Sequence, residues 1–231
     1  MQVGDPIGEG WGIYKRFWQH LVPIALVTYL VISLLALALQ AVAGTLGALA
    51  SLVIAIAGVF LLQGALVEAV ADVRDGVADL SLSETLQRVV PRLGPIVVAS
   101  ILGGIAIAIG FVLLIAPGLF LLTIWSVVVP VIVLEKAGAF EGFGRSRALV
   151  RGYGWTVFGV IVVTFLINIV VGIVLEIILA GFSAEVTRYL SNVISNTLIS
   201  PFIAATWTSM YFALHKLHEP TDMPSGAAFG E

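Results

Sequence analysis

Residues 95–134 read PIVVASILGGIAIAIGFVLLIAPGLFLLTIWSVVVPVIVL, without a single Asp, Glu, Lys, Arg or His. Pro117-Gly118 divides the run, so it reads as two helical spans, Pro95–Ala116 and Leu119–Leu134, back to back. A bilayer core takes about 20 helical residues, and the second span, closed by Glu135-Lys136, sits near the lower limit. Working outward, four more apolar runs appear: Leu21–Ala43 and Leu46–Val70 before it, Thr156–Ala180 and Asn192–Leu214 after it. The whole composition agrees. Of 231 residues, 60% are hydrophobic and 11% charged, with a mean hydropathy of +1.11. A soluble chain of that size cannot hide so much apolar surface. The runs are continuously apolar rather than alternating, which indicates an all-α protein and not a lipid-facing barrel.

The basic residues set the expected orientation. Lys15 and Arg16 precede span one, while Arg74, Arg88 and Arg92 lie between spans two and three. Lys136, Arg145, Arg147 and Arg151 lie between spans four and five, and Lys216 follows span six. The alternate side holds only Arg188. By the positive-inside rule both termini are cytoplasmic. Ala41-Val42-Ala43 fits a leader-cleavage pattern, but the apolar run before it is about twice the usual 7–15 residues, so span one is expected to stay as a signal-anchor. There is no cysteine to acylate, pair or bind metal. Residues 1–218 are expected to form one domain, and residues 219–231, rich in Pro, Gly and Ser, a disordered cytoplasmic tail.

Each pair of spans follows a stretch with helical amphipathicity. Ile7, Trp11, Tyr14 and Trp18 recur at i, i+4, i+7 and i+11, as do Leu82, Leu86, Val89 and Leu93, and, more weakly, Ala139, Phe143, Ser146 and Val150. Asp5-Pro6 suits a helix start, and Ser81 through Glu84 reads as a capping box. Aromatic and basic residues on such helices suit the lipid headgroup layer. The candidates there are Trp11, Lys15, Arg16, Trp18, Arg88, Arg92, Arg145, Arg147, Arg151 and Trp155. The expected architecture is therefore three parallel repeats of an interfacial helix plus a transmembrane hairpin, giving six transmembrane helices.

Inside the spans there is little chemistry. Glu68 and Glu135 stand at span ends, and Glu176 near the far end of span five, so no ionisable group marks an ion path at mid-depth. Asn168, Ser200 and Pro201 could border a small polar cavity, although helix packing explains them more simply. Small residues run along span three in two stripes, Ser100-Gly104-Ala108 and Ala99-Gly103, which lets helices approach closely. His215 and His218 lack a third metal ligand, His20 stands alone, and no serine has a paired histidine and carboxylate. The glycines of Gly142 to Ser146 follow no strand and lack a phosphate-loop lysine. Neither an enzyme nor a cofactor or metal protein is expected, and nucleic acid is excluded as a partner.

The motifs around spans three to five carry a resemblance. Leu114-Ile115-Ala116-Pro117-Gly118, then Pro130, Val133-Leu134-Glu135, and Gly144-Arg145-Ser146-Arg147-Ala148-Leu149-Val150-Arg151-Gly152 resemble the membrane domain joined to some bacterial glycerophosphoryl diester phosphodiesterases. They also resemble uncharacterised six-span bacterial proteins in which that domain stands alone. The likeness covers about residues 90–165. It implies a bacterial plasma-membrane protein in which Pro117, Gly118, Pro130, Glu135, Arg145 and Ser146 are structural. The metal-binding residues of the phosphodiesterase barrel have no counterpart here, so that activity does not carry over.

From the residues themselves, Pro117-Gly118 is expected to make the tight extracytoplasmic turn, and Glu135 to pair with Arg145 or Arg147. The leading functional expectation is a module that organises anionic lipids or partner membrane proteins, itself included, at the cytoplasmic face. The alternative is a small-solute or lipid carrier with a weakly polar cavity near spans three, five and six; the empty midplane and the lack of a broken helix pair count against it.

Overall fold

The computed structural model describes residues 1–218, with all side chains except those of residues 36, 37, 40–46, 48, 49, 52, 53, 55–57, 184–186, 188, 189 and 192. The expected tail at residues 219–231 lies outside the described residues. In chain order the helices are α1 (Gly4–Asp72), α2 (Leu82–Val89), α3 (Leu93–Leu113), α4 (Ile115–Ile124), α5 (Val128–Leu134), α6 (Ala139–Val150), α7 (Gly154–Ile178) and α8 (Ala184–His218). Short 3-10 turns at Val73–Asp75 and Val90–Arg92 link α1 to α2 and α2 to α3. The described residues are helical with no strand among them. Among the described residues, five segments are long and apolar enough to cross a membrane: Gly4–Leu35, Leu82–Leu113, Ile115–Leu134, Gly154–Ile178 and Val193–His218.

α1 is not one straight rod. Leu21, Ile24 and Ala25 share a buried cluster with Leu62, Ala65, Leu66, Ala69 and Val70, and Ile32 lies against Gly58. Twenty-six residues of straight helix would hold Ile32 and Gly58 about 39 Å apart. The helical path therefore reverses between them, and the two arms of α1 run antiparallel. The expected Leu46–Val70 span falls on the returning arm, where many side chains lie outside the described set. α1 runs without interruption from the first amphipathic stretch into span one, with Pro23 inside the helix.

α8 is the central helix. Ala205, Thr206, Thr208, Ser209, Met210, Tyr211 and Leu214 are all buried, so the helix is covered on every side from Ala205 to Tyr211, while its last residues, Lys216 to His218, are exposed. A Cβ on Gly10 would sit within 2.7 Å of the Thr206 backbone, which shows how closely α1 approaches α8. On α7 burial is confined to Val157, Val160 and Thr164, the face that packs in the cluster with Met210, Tyr211 and Leu214. The rest of α7 turns large apolar residues outward, as does α3 from Val98 to Leu113. That outward apolar surface suits a hydrocarbon solvent.

α3 and α4 form a hairpin closed by one residue. Leu114 is extended (φ −162°, ψ 148°) and its N–H donates to the Gly110 carbonyl. This corrects the expected turn at Pro117-Gly118, which instead lies in the first turn of α4. There a proline costs nothing, because the first N–H groups of a helix have no partner within it. Gly118 is needed for a different reason: it and Gly110 face each other. A Cβ on Gly110 would meet the Gly118 nitrogen at 2.9 Å, and one on Gly118 would meet the Phe111 ring at 2.5 Å. Of the two small-residue stripes on α3, the one through Ala99 and Gly103 packs inward, with Phe143 against Gly103. The Ser100-Gly104-Ala108 stripe is the more exposed one.

The expected span Leu119–Leu134 is broken. Turn residues Trp125–Val127 separate α4 from α5. Pro130 explains the break, since it has no N–H to offer the Ser126 carbonyl four residues back. The Val128 N–H closes a tighter bond to the Trp125 carbonyl at 3.2 Å, which leaves the Ile124 carbonyl without its usual helical donor. Ser146 fills that place. Its hydroxyl, fully buried on α6, donates to Ile124 O at 2.8 Å. Ser146→Ala is therefore expected to destabilise the protein by about 1–3 kcal/mol, the cost of an unsatisfied buried acceptor. Thermal unfolding in detergent measures it, and an unchanged midpoint would refute the role.

Candidate functional site: a basic groove between α4, α6 and α7

The charged residues sort into those turned inward and those left facing a groove. Glu135 is the inward hub. Arg145 Nε donates to its Oε2 at 2.8 Å, and the Tyr211 hydroxyl donates to its Oε1 at 2.9 Å, tying the end of α5 to α6 and α8. The Glu141 carboxylate accepts from the Gly138 N–H at the start of α6. Arg88 pairs with Glu68 at 3.2 Å, and Arg74 with Glu9 at 2.8 Å while lying 4.0 Å above the Phe212 ring. Arg92 donates to the Lys136 carbonyl and Arg16 to the Gly76 carbonyl. Ser81 and Glu84 make the expected capping box.

These contacts alter the headgroup assignment made from sequence. Arg16, Arg88, Arg92 and Arg145 are engaged in joining segments of the fold. Trp11 is half-exposed and packs with Tyr14 and edge-on to Phe202, with the Lys15 ammonium 5.7 Å from its ring; Trp18 is half-exposed. Lys136 occupies left-handed backbone (φ 57°), which costs a non-glycine residue roughly 1–2 kcal/mol. Lys136→Gly is expected to gain about 0.5–1 kcal/mol after the larger unfolded-state entropy of glycine is subtracted. An unfolding midpoint lower than that of the parent chain would contradict this.

α6 is not the flat surface helix that its weak stripe suggested. It runs antiparallel beside α5 and α4: Gly142 meets Ile132 and Val128, Ser146 meets Ile124, and Arg147 and Arg151 reach the level of Phe120. Its buried face is Gly142, Ser146, Leu149 and Val150. Arg147 and Ala148 therefore face outward. At the corner into α7, Gly152 is left-handed (φ 88°), a conformation that favours glycine. His218 of α8 contacts the Arg151 carbonyl at 3.2 Å and the Leu214 carbonyl at 3.0 Å, and Tyr153 packs edge-on to its ring. The corner is thereby fixed to the end of α8.

Two cavities open side by side there. One, of about 650 Å³, is bordered by Phe120, Ile124, Gly144, Arg147, Arg151 and Gly152. The next, of about 530 Å³, shares Phe120, Ile124, Gly152 and Gly154, and extends past Leu119, Trp155 and Phe158. Together they make one groove, guanidiniums at one end and aromatic and aliphatic side chains at the other. Among the described residues neither Arg147 nor Arg151 is drawn into an ion pair. Cβ atoms on Gly144, Gly152 or Gly154 would meet nothing within 4 Å, so the backbone there stands open. Of the residues singled out from sequence, Arg147, Arg151 and Trp155 meet in this groove. Phe120, Ile124, Phe158 and Gly154 were not anticipated; Gly144 and Gly152 were noticed only within the motif of the resemblance, and Gly144 also as part of a poor phosphate loop.

Asn168, Ser200 and Pro201, read from sequence as helix packing with a small polar cavity as the lesser alternative, differ in burial. Asn168 is exposed on α7, one turn beyond Thr164; Pro201 is buried and Ser200 half-buried. The space between α7 and α8 is instead apolar, about 550 Å³, bordered by Trp11, Tyr14, Ile167, Val171, Leu198 and Phe202 among others. Among the described residues no cluster of His, Asp and Glu could hold a metal ion. Compared with family models, with curated proteins and with solved structures, the chain matches none.

Proposed function

We propose that the chain is a non-enzymatic integral membrane module that holds anionic lipid in the α4–α6–α7 groove. One observation carries the proposal: Arg147 and Arg151 converge on a groove that continues into Leu119, Phe120, Trp155 and Phe158. That is the polarity profile of a phospholipid, anion at one end and hydrocarbon at the other. In this proposal the protein crosses a bacterial plasma membrane six times with both termini cytoplasmic, the fold-back of α1 supplying two of the crossings. Its resemblance to the membrane domain of glycerophosphoryl diester phosphodiesterases belongs to the same proposal. So does the parallel threefold repeat, which is supported by a short helix preceding both α3 and α7.

Native mass spectrometry of gently solubilised protein tests the proposal. A lipid is expected to stay bound through delipidation, and Arg147→Gln/Arg151→Gln is expected to cut its retention by about tenfold or more, the scale of one or two lost charge-assisted hydrogen bonds. Loose bulk lipid alone, unchanged in the variant, would refute the groove as a site and turn the search to protein partners. The broken α4–α5 span favours a second reading, a lipid carrier, because discontinuous helices are a recurring feature of transporters. Accelerated exchange of labelled lipid between leaflets of proteoliposomes would select it.

A further inference from the structure

The chemistry of the groove's polar end narrows the headgroup. Its bordering side chains include two guanidiniums, and no carboxylate or carboxamide. The one hydroxyl on the border, that of Thr123, already donates to the Leu119 carbonyl at 2.7 Å. The backbone at Gly152 and Gly154 leaves room beside them at the start of α7. The polar side chains at that end are thus donors only, carrying two full positive charges. An ethanolamine or choline headgroup would bring its own cation beside two guanidiniums with no carboxylate to receive it. A phosphodiester carries one negative charge and leaves one arginine uncompensated. A terminal phosphate monoester carries about −1.5 to −2 at neutral pH and offers three strong acceptor oxygens. Each guanidinium can take two of those oxygens in a planar fork.

Resting on the lipid-binding reading above, we propose that the groove between α4, α6 and α7 selects lipids ending in a phosphate monoester, held between Arg147 and Arg151, over diester and zwitterionic phospholipids. The hydrocarbon chains lie along Phe120, Trp155 and Phe158. The occupant is thus a lipid, with the apolar half of the groove contributing as well as the phosphate.

The test uses the full chain, delipidated and offered phosphatidic acid, phosphatidylglycerol and phosphatidylethanolamine in equal amounts, with retained lipid counted by native mass spectrometry. Phosphatidic acid is expected to exceed each of the others by about tenfold, the scale set by one extra charge-assisted contact. Arg151→Gln, at an exposed side chain, is expected to keep the protein monodisperse and to erase the preference for monoester over diester. Equal retention of phosphatidic acid and phosphatidylglycerol, both above phosphatidylethanolamine, would overturn the monoester inference while leaving the lipid-binding reading intact. No retained lipid would overturn both. A preference that survives in Arg147→Gln/Arg151→Gln would overturn the assignment to these arginines. Full displacement of the lipid by millimolar inorganic phosphate would show a free-phosphate site and overturn the lipid source.

Discussion

Gly110→Val is expected to prevent the α3–α4 hairpin from closing, with a loss of stability of about 3–5 kcal/mol or no recoverable folded protein. What a Cβ at Gly110 would meet is main chain: the nitrogen and Cα of Gly118 and the carbonyl carbon of Pro117, at 2.9, 3.0 and 3.2 Å. A flexible side chain could rotate away, but backbone locked into the first turn of α4 cannot, so the hairpin would have to open. Because α4 forms one wall of the groove, a surviving Gly110→Val protein should also lose bound lipid. Gly104→Val on the same helix is the control: a Cβ there meets nothing within 4 Å, and the variant should behave as the parent chain does. Equal expression and equal unfolding temperature of the two valine variants would refute the close-approach argument.

Glu135→Lys is expected to be nearly as damaging, at about 2–4 kcal/mol. It removes the acceptor for both Arg145 and Tyr211 and places a third cation beside Arg145 and Lys136. Breaking a fully buried ion pair costs about 3–5 kcal/mol. Glu135 and Arg145 retain 23% and 27% side-chain exposure, so solvent screening lowers the figure. Rescue distinguishes a pair from two independent charges: Arg145→Glu in the Glu135→Lys background should restore part of the stability, and Arg147→Glu should not. Sequence left the partner open between Arg145 and Arg147. The structure selects Arg145, and equal rescue by both would contradict it.

What was legible in the sequence was what short range decides. The apolar runs, the capping box at Ser81 and the role of Glu135 as an anchor all follow from neighbours a few positions apart or from the cost of charge in lipid. The failures share a cause, which is that small residues carry no hydrophobic signal. The expected α6 stripe held Ser146 and Val150, which are buried, but not Gly142, whose contact with Ile132 brings the helix inward and which carries no apolar signal. Pro130 and Ser126 did announce a broken span, but the run around them was apolar enough to pass as continuous. Asn168 continues the stripe of Val157, Val160 and Thr164 and yet is exposed, because periodicity does not record how far along a helix burial extends. The groove draws on three separate segments, and only Arg147, Arg151 and Trp155 were visible in advance, because charge and aromaticity are conspicuous without a fold.

The one-residue turn at Leu114 makes α4 an indexed part. A long loop would absorb an insertion, but here each added or deleted residue turns α4 by about 100° relative to α3. A single insertion would swing Gly118 off Gly110 and carry Phe120 and Ile124 away from Arg147 and Arg151. The Ile124 carbonyl would leave Ser146 at the same time. Length at this corner is consequently held by contacts at three different depths of the molecule, so the corner admits exchange of one apolar residue for another far more readily than any change in their number.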